Sequence, residues 1–514
     1  MDARRWYSEQ PNVTGRGIVA GYSARFWAMI AVLGAITGLG AAGLLELLRL
    51  VEHLAYDYHH GSFLRGVEQA PRWRAFAALG VASVIVAAGV AALGRLGSRG
   101  GGTDVSDGLW LRGARLDFRA SVGRALLSIV TVGLGSSLGR EGAPQTLGAA
   151  TATKFAEWAG LPTWQRRLLV ACGAGAGFAA VYNVPLGGAL FAVEVLLGSV
   201  ALPLVLPALA TSVVATSVAW LFLGTGPAYS LPHYPLHPAQ MIWALLAGPV
   251  IGVVAVVWVR LIRRAARMRP TGRGRYVAPA AAFMALAALS LKYPQLLGNG
   301  KGIVQLGAIG ELSLGLMAVL FVLKPLVTAA CLGSGAPGGL FTPTLTIGVL
   351  LAGILGTAWG HVWPGATLGS YAVIGGGAFL AASMQGPLSG VVLVLELTRN
   401  FDTLMAPTLL AVAEATVIAR RLGAPSIYSA RLRPAPDRPG ANALAQEALA
   451  TLDRPDAIPD EVLDAEGEVS VDPGEAAAGD LGGASDGPAA SRSDGRTGPP
   501  AGERARARRA RGDR

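Results

Sequence analysis

The sequence predicts a polytopic helical membrane protein built as a duplicated unit, and three observations predict it. Only 15% of the 514 residues are charged while 52% are hydrophobic, against about 25% charge in soluble domains. Apolar stretches close to the roughly 20 residues that cross a ~30 Å hydrocarbon core recur along the chain. Two pairs of Gly/Pro-rich motifs repeat in the same order at nearly one spacing, the mark of an internal repeat.

The clearest apolar stretches are Phe26–Val51, Ala75–Leu96, Ala201–Gly224, Met241–Ile262 and Leu314–Leu332. Residues 1–25 form a polar N-terminal segment without the pattern of a signal peptide. Residues 26–432 are expected to be one transmembrane domain, with repeats roughly over 26–224 and 240–420. Residues 433–514 are rich in Pro, Ala, Gly and Asp, with few aromatics, and are expected to be a disordered tail. The segment Tyr56–Arg74 is expected to be a solvated loop.

The net charge of +11 is placed as in a membrane protein rather than a nucleic-acid binder. Arg95, Arg99, Arg112, Arg115 and Arg119 fall in one linker, and Arg260, Arg263, Arg264, Arg267, Arg269, Arg273 and Arg275 in another. Thr225–Gln240, between them, has no Lys or Arg. The positive-inside rule then puts both basic linkers in the cytoplasm and Thr225–Gln240 outside. Cys172 and Cys331 are isolated in apolar segments, so neither a disulfide framework nor a metal site is expected. No cofactor is implied. No Ser/His, HExxH or paired-aspartate arrangement lies in an apolar span, which argues against an intramembrane enzyme.

The repeat carries the chemistry. Tyr182-Asn183-Val184-Pro185-Leu186-Gly187-Gly188 leads to Glu194, and Met384-Gln385-Gly386-Pro387-Leu388-Ser389-Gly390 leads to Glu396; both prolines and both glutamates are 202 residues apart. Upstream, Gly139-Arg140-Glu141-Gly142-Ala143-Pro144 parallels Gly338-Gly339-Leu340-Phe341-Thr342-Pro343, with the prolines 199 apart. A helix that restarts inside a bilayer presents unsatisfied N–H groups, which persist only against protein, water or ligand. Such N-termini bind anions through backbone N–H groups and about half a positive charge. Held this way, an ion can still leave, as conduction requires. Arg140 and Glu141 stand in such a segment, and intramembrane ionisable residues are functional candidates. Arg140 could instead hold the loop by a salt bridge, and Tyr428 could be an interfacial anchor.

GREGAPQ at Gly139–Gln145, GSGAPGGLFTP at Gly333–Pro343, the two Pro-Leu-x-Gly helices and Ile427-Tyr428-Ser429 together resemble the CLC family of chloride channels and proton–chloride antiporters, of the bacterial type without CBS domains. The similarity runs in order from about Phe26 to Leu432. It implies an all-α fold of two inverted-topology repeats with broken helices, and a homodimer with one pore per subunit. It also implies a multi-pass protein of the plasma membrane with both termini cytoplasmic, moving chloride and, in exchangers, protons through the lipid bilayer. By position, Glu141 is implied as the gating and proton-exchanging residue. Backbone N–H groups of Leu340 and Phe341 with the Tyr428 hydroxyl are implied as central anion ligands, and Arg140 and Gly142 belong to an outer site.

Two departures stand out. The family's GSGIP stretch aligns with Gly100–Gly108, placing Gly101, beside Gly102, where a serine would donate to the anion, and Asp104 where the proline would be. A hydroxyl is then missing unless Thr103 supplies it, which opens the selectivity to nitrate or fluoride. Val195 holds the position of the internal proton-accepting glutamate, next to Glu194. A valine relays no proton, so channel and antiporter both stay open. A cation-coupled transporter of an organic solute is the alternative from outside the family.

Overall fold

The computed structural model describes residues 22–96 and 104–432. Gly101, Gly102 and Thr103, most of the N-terminal segment and the tail from 433 onward lie outside the described residues. Within them the chain is helical, with 17 α-helices and no strand beyond one isolated bridge. The first repeat runs α1 Ala24–Tyr56, α2 Phe63–Gln69, α3 Arg72–Leu96, α4 Val105–Leu111, α5 Phe118–Gly133, α6 Gly142–Trp158, α7 Thr163–Tyr182, α8 Pro185–Leu190 and α9 Leu202–Leu223. A π-helical stretch, Phe191–Leu197, continues α8. The second repeat runs α10 Pro238–Arg267, α11 Gly274–Ser290, α12 Lys301–Ala308, α13 Leu314–Gly333, α14 Phe341–Val362, α15 Leu368–Met384, α16 Pro387–Thr398 and α17 Phe401–Arg421.

Seven of these helices are long and apolar enough to cross a membrane. They include all five expected stretches and add α14 and α17. The segment expected as a loop after Tyr56 differs. It contains α2, capped by the Ser62 side chain accepting from Arg65 N–H at 3.4 Å, and Tyr56 is buried. A seven-residue helix is too short to show a hydrophobic period, which is why sequence reading passes over it.

Packing repeats with the motifs. α1 lies against α9 as α10 lies against α17, and α6 against α7 as α14 against α15. The α7 and α15 faces are buried nearly all round, from Leu168 to Tyr182 and from Gly369 to Met384. Their apolarity therefore serves the protein interior, not lipid. Between α6 and α7 the backbones meet at Gly148 and Gly173, where a Cβ on either would overlap the other's carbonyl. Close approach through small residues is how membrane helices gain contact without a hydrophobic driving force.

The helix breaks are also paired. α7 ends at Asn183 and α15 at Gln385, both left-handed, with φ of 56° and 59°. Pro185 and Pro387 then start α8 and α16 at the first helical position, where proline sacrifices no hydrogen bond. Each new start is capped by the glutamate of the other repeat. Glu194 accepts from Leu388 N–H at 3.1 Å and from Ser389 N–H and Oγ–H at 2.6 Å each. Glu396 accepts from Leu186 N–H at 3.1 Å and Gly187 N–H at 2.7 Å. The equal spacing of the two glutamates is thus a reciprocal cap. Val195 packs beside Gly386.

One buried cation belongs to the same architecture. Lys324, fully buried on α13, donates to the carbonyls of Leu296, which ends a 3-10 turn, at 3.1 Å and Gly298 just after it at 2.8 Å, satisfying acceptors that lipid could not. Gly173→Leu is expected to push α6 from α7 at an overpacking cost of about 1–3 kcal/mol. It should be read as earlier loss of the monodisperse species when detergent-solubilised protein is heated; an unchanged melting profile would contradict the close packing.

Candidate anion-binding site

The site is assembled where α6 and α14 begin. α5 ends at Gly133 and α13 at Gly333, and the chain turns at Gly135 (φ 105°) and Gly335 (φ 100°), a conformation side chains rarely adopt. It then reaches Gly139 and Gly339, which form an antiparallel bridge with two hydrogen bonds of 2.8 Å each, Gly139 N–H to Gly339 O and Gly339 N–H to Gly139 O. α14 starts at Phe341, two residues beyond Gly339, and α6 at Gly142, three residues beyond Gly139. The two Gly-rich segments are therefore in contact, and both helix N-termini meet at one place.

Glu141 stands just before α6 but makes no side-chain cap to its own helix. Its carboxylate reaches instead to the start of α14. Oε1 accepts from Phe341 N–H at 2.6 Å, and Oε2 accepts from the Tyr182 hydroxyl at 3.1 Å and from Thr342 Oγ1 at 3.4 Å. Tyr182 and Thr342 are also hydrogen-bonded to each other. Glu141 is 1% exposed. Gly139 and Gly339 make room for it, since a Cβ on either would overlap the carboxylate.

Aromatic rings wall this cradle. Phe341 packs on Phe178 at 4.7 Å and on Tyr182 at 5.3 Å between centroids, and Phe191 bridges Phe178 at 5.2 Å and Tyr428 at 5.3 Å. They hold the ligand groups in an apolar frame in which electrostatic contacts count for more than in water. Arg140 lays its guanidinium over the Tyr182 ring, 5.1 Å from the centroid, a cation–π contact. It is not among the close ion pairs of the described residues, so the loop-holding salt bridge is replaced by stacking.

Below the carboxylate a cavity is lined by Glu141, Gly142, Gln145, Gly338, Gly339, Leu340 and Tyr428, together with Asp104, Ser106, Arg124, Ser128 and Arg431. Asp104 caps α4, accepting from Ser106 N–H at 3.1 Å, and pairs with Arg431. The Tyr428 hydroxyl faces this cavity without a hydrogen bond of normal geometry.

Of the residues singled out in sequence, Glu141, Gly142, Leu340 and Tyr428 line one cavity, and Phe341 supplies the N–H at its upper end. Arg140 sits behind Tyr182 and off the cavity wall. Sequence reasoning missed Tyr182 and Thr342 as partners of Glu141. Their only signal was membership of the Tyr-Asn-Val-Pro and Leu-Phe-Thr-Pro breaks, where the glycines and prolines drew the attention.

Residues 95–420 match the family described as voltage gated chloride channel. The chain is 30% identical over 407 residues to the voltage-gated ClC-type chloride channel ClcB of Citrobacter koseri, covering 77% of this chain and 96% of that one. It is 33% identical over 310 residues to the H(+)/Cl(-) exchange transporter ClcA of the same organism, covering 58% of this chain and 65% of that one. In fold it is similar to a slow cyanobacterial Cl-/H+ antiporter, with a TM-score of 0.67 at 22% identity over 84% of this chain and 100% of that one.

Gly339→Ala is expected to drive the Glu141 carboxylate off Phe341 N–H, because the added methyl would take its place. A structure of that variant with Glu141 unmoved would contradict the cradle.

Proposed function

The chain belongs to the voltage gated chloride channel family, and from that premise we propose that it carries chloride across the bilayer along a path that Glu141 blocks and opens. The observation that supports this reading best is the position of the Glu141 carboxylate. A negatively charged group already accepts Phe341 N–H and the hydroxyls of Tyr182, at the end of α7, and Thr342, in the first turn of α14. A halide of like charge fits the same donors once the side chain withdraws. No lysine or arginine belongs to this donor set, so the anion is drawn by partial charges and can leave again.

The gate works by charge. An ionised Glu141 competes with the anion for Phe341 N–H. Protonation removes the charge that favours this contact, so the side chain gives up the place. Flux therefore rises as external pH falls. The Leu340 and Phe341 backbone and the Tyr428 hydroxyl would act as ligands below the gate, with Gly142 and Arg140 on its outer side. Gly101 and Gly102 would belong to the inner end, beyond the described residues.

Val195 stands beside Gly386 at the position where a glutamate would accept protons from inside. It cannot do so, and this favours passive anion flux over fixed proton exchange. Residues 26–432 would form the transport domain in a multi-pass, plasma-membrane homodimer with cytoplasmic termini and no chemical step.

In chloride-loaded liposomes, Glu141→Ala is expected to give chloride efflux that no longer changes with external pH. Retained pH dependence would contradict the gate. Chloride efflux and external pH recorded together on the wild type should show chloride leaving without uphill proton uptake; proton uptake against its gradient would establish exchange instead.

A further inference from the structure

The cavity below Glu141 contains donors that the gate does not use. Gln145 lies one helical turn after Glu141 on α6, so its side chain falls on the same face. Gln145 is 6% exposed and its amide Nε2 has no hydrogen bond of normal geometry, although the Tyr428 hydroxyl is close by. Ser128, on α5, is 3% exposed and its Oγ is likewise without a partner. Both line the same cavity as Tyr428 and Leu340. Buried polar atoms are almost always paired, and two in one cavity without a hydrogen bond of normal geometry mark a place where a ligand completes the set.

The ligand has to be an acceptor. An amide NH2, a serine hydroxyl and a tyrosine hydroxyl can all donate. Apart from the Glu141 gate, the charged groups lining the cavity are Arg124, Arg431 and Asp104, with Asp104 paired to Arg431, so with Glu141 withdrawn or protonated this set carries one net positive charge. A small anion matches both the donors and the charge. We propose that Gln145 and Ser128 are side-chain ligands of the permeating anion, taking over the hydroxyl donation that Gly101 cannot make. This rests on the anion-transport reading and assigns the selectivity of that path to two side chains not counted among its anion ligands above.

The assignment carries a selectivity. Directed N–H and O–H donors stabilise a compact anion such as chloride more than a larger, charge-diffuse one such as thiocyanate, because the contact scales with charge density. Removing a donor should then weaken chloride and spare thiocyanate.

The test uses the purified full-length protein. Chloride binding is measured by calorimetry, and chloride and thiocyanate flux in liposomes, for wild type, Gln145→Leu and Ser128→Ala. Each variant is expected to bind chloride about tenfold or more weakly, as for lost hydrogen bonds to a charged group, and to shift flux toward thiocyanate. A monodisperse variant within twofold of wild type in both measurements would overturn the assignment of that residue. Absence of chloride binding and flux in the wild type would overturn the transport reading, and this assignment with it. Should a variant not fold, bromide-soaked wild-type crystals decide. An anomalous peak within about 3.5 Å of Nε2 or Oγ is expected, and a bromide site elsewhere in the path with none here would overturn the proposal.

Discussion

The antiparallel hydrogen bonds between Gly139 and Gly339 fix everything around them. Among the described residues they are the one place where the backbones of the two repeats pair as strands do, and they join the segments that lead into the first turns of α6 and α14. A broken helix in a bilayer has to hand its free N–H groups to something. Here one repeat supplies a carboxylate to the other's helix start, so the Glu141 side chain occupies the Phe341 N–H. Side chains on Gly139 or Gly339 would collide with that carboxylate. The glycines therefore follow from the geometry of the crossing, not from a general need for flexibility.

The same exchange occurs twice more at the periphery. Glu194 and Glu396 each cap the broken helix of the opposite repeat, so with Glu141 three carboxylates of the described residues serve helix starts across the repeat boundary. Two of them hold two N–H groups each and belong to the frame. Glu141 holds one N–H and two hydroxyls at the head of a cavity. It has fewer backbone bonds than the other two and a cavity beside it, which suits the gating role proposed for it. The frame and the proposed gate thus use one kind of interaction.

Particular residues show how much the sequence disclosed. The helical membrane class, the duplication and the matched breaks at Pro185 and Pro387 were legible because they rest on local composition and spacing. So were Glu141 and the Phe341 amide, since a charged residue or a Gly-Pro break inside an apolar run stands out. Helix α2 was not legible, being too short to carry a period. Nor was the stacking of Arg140 on Tyr182, which depends on where α7 ends relative to α6. Gln145 and Ser128 are ordinary polar residues in sequence, one within the Gly139–Gln145 motif and one in an apolar run.

By itself the sequence determined that this chain crosses a membrane as two related halves and that helix starts lie within it, because hydrophobicity and backbone propensity are properties of neighbouring residues. Only the tertiary structure decided which helix start receives which carboxylate, and which buried donors are left facing a cavity. Those outcomes join residues about 200 positions apart, and hydrogen-bond partnership over such a separation is set by how the two halves pack, to within fractions of an ångström that no local pattern encodes.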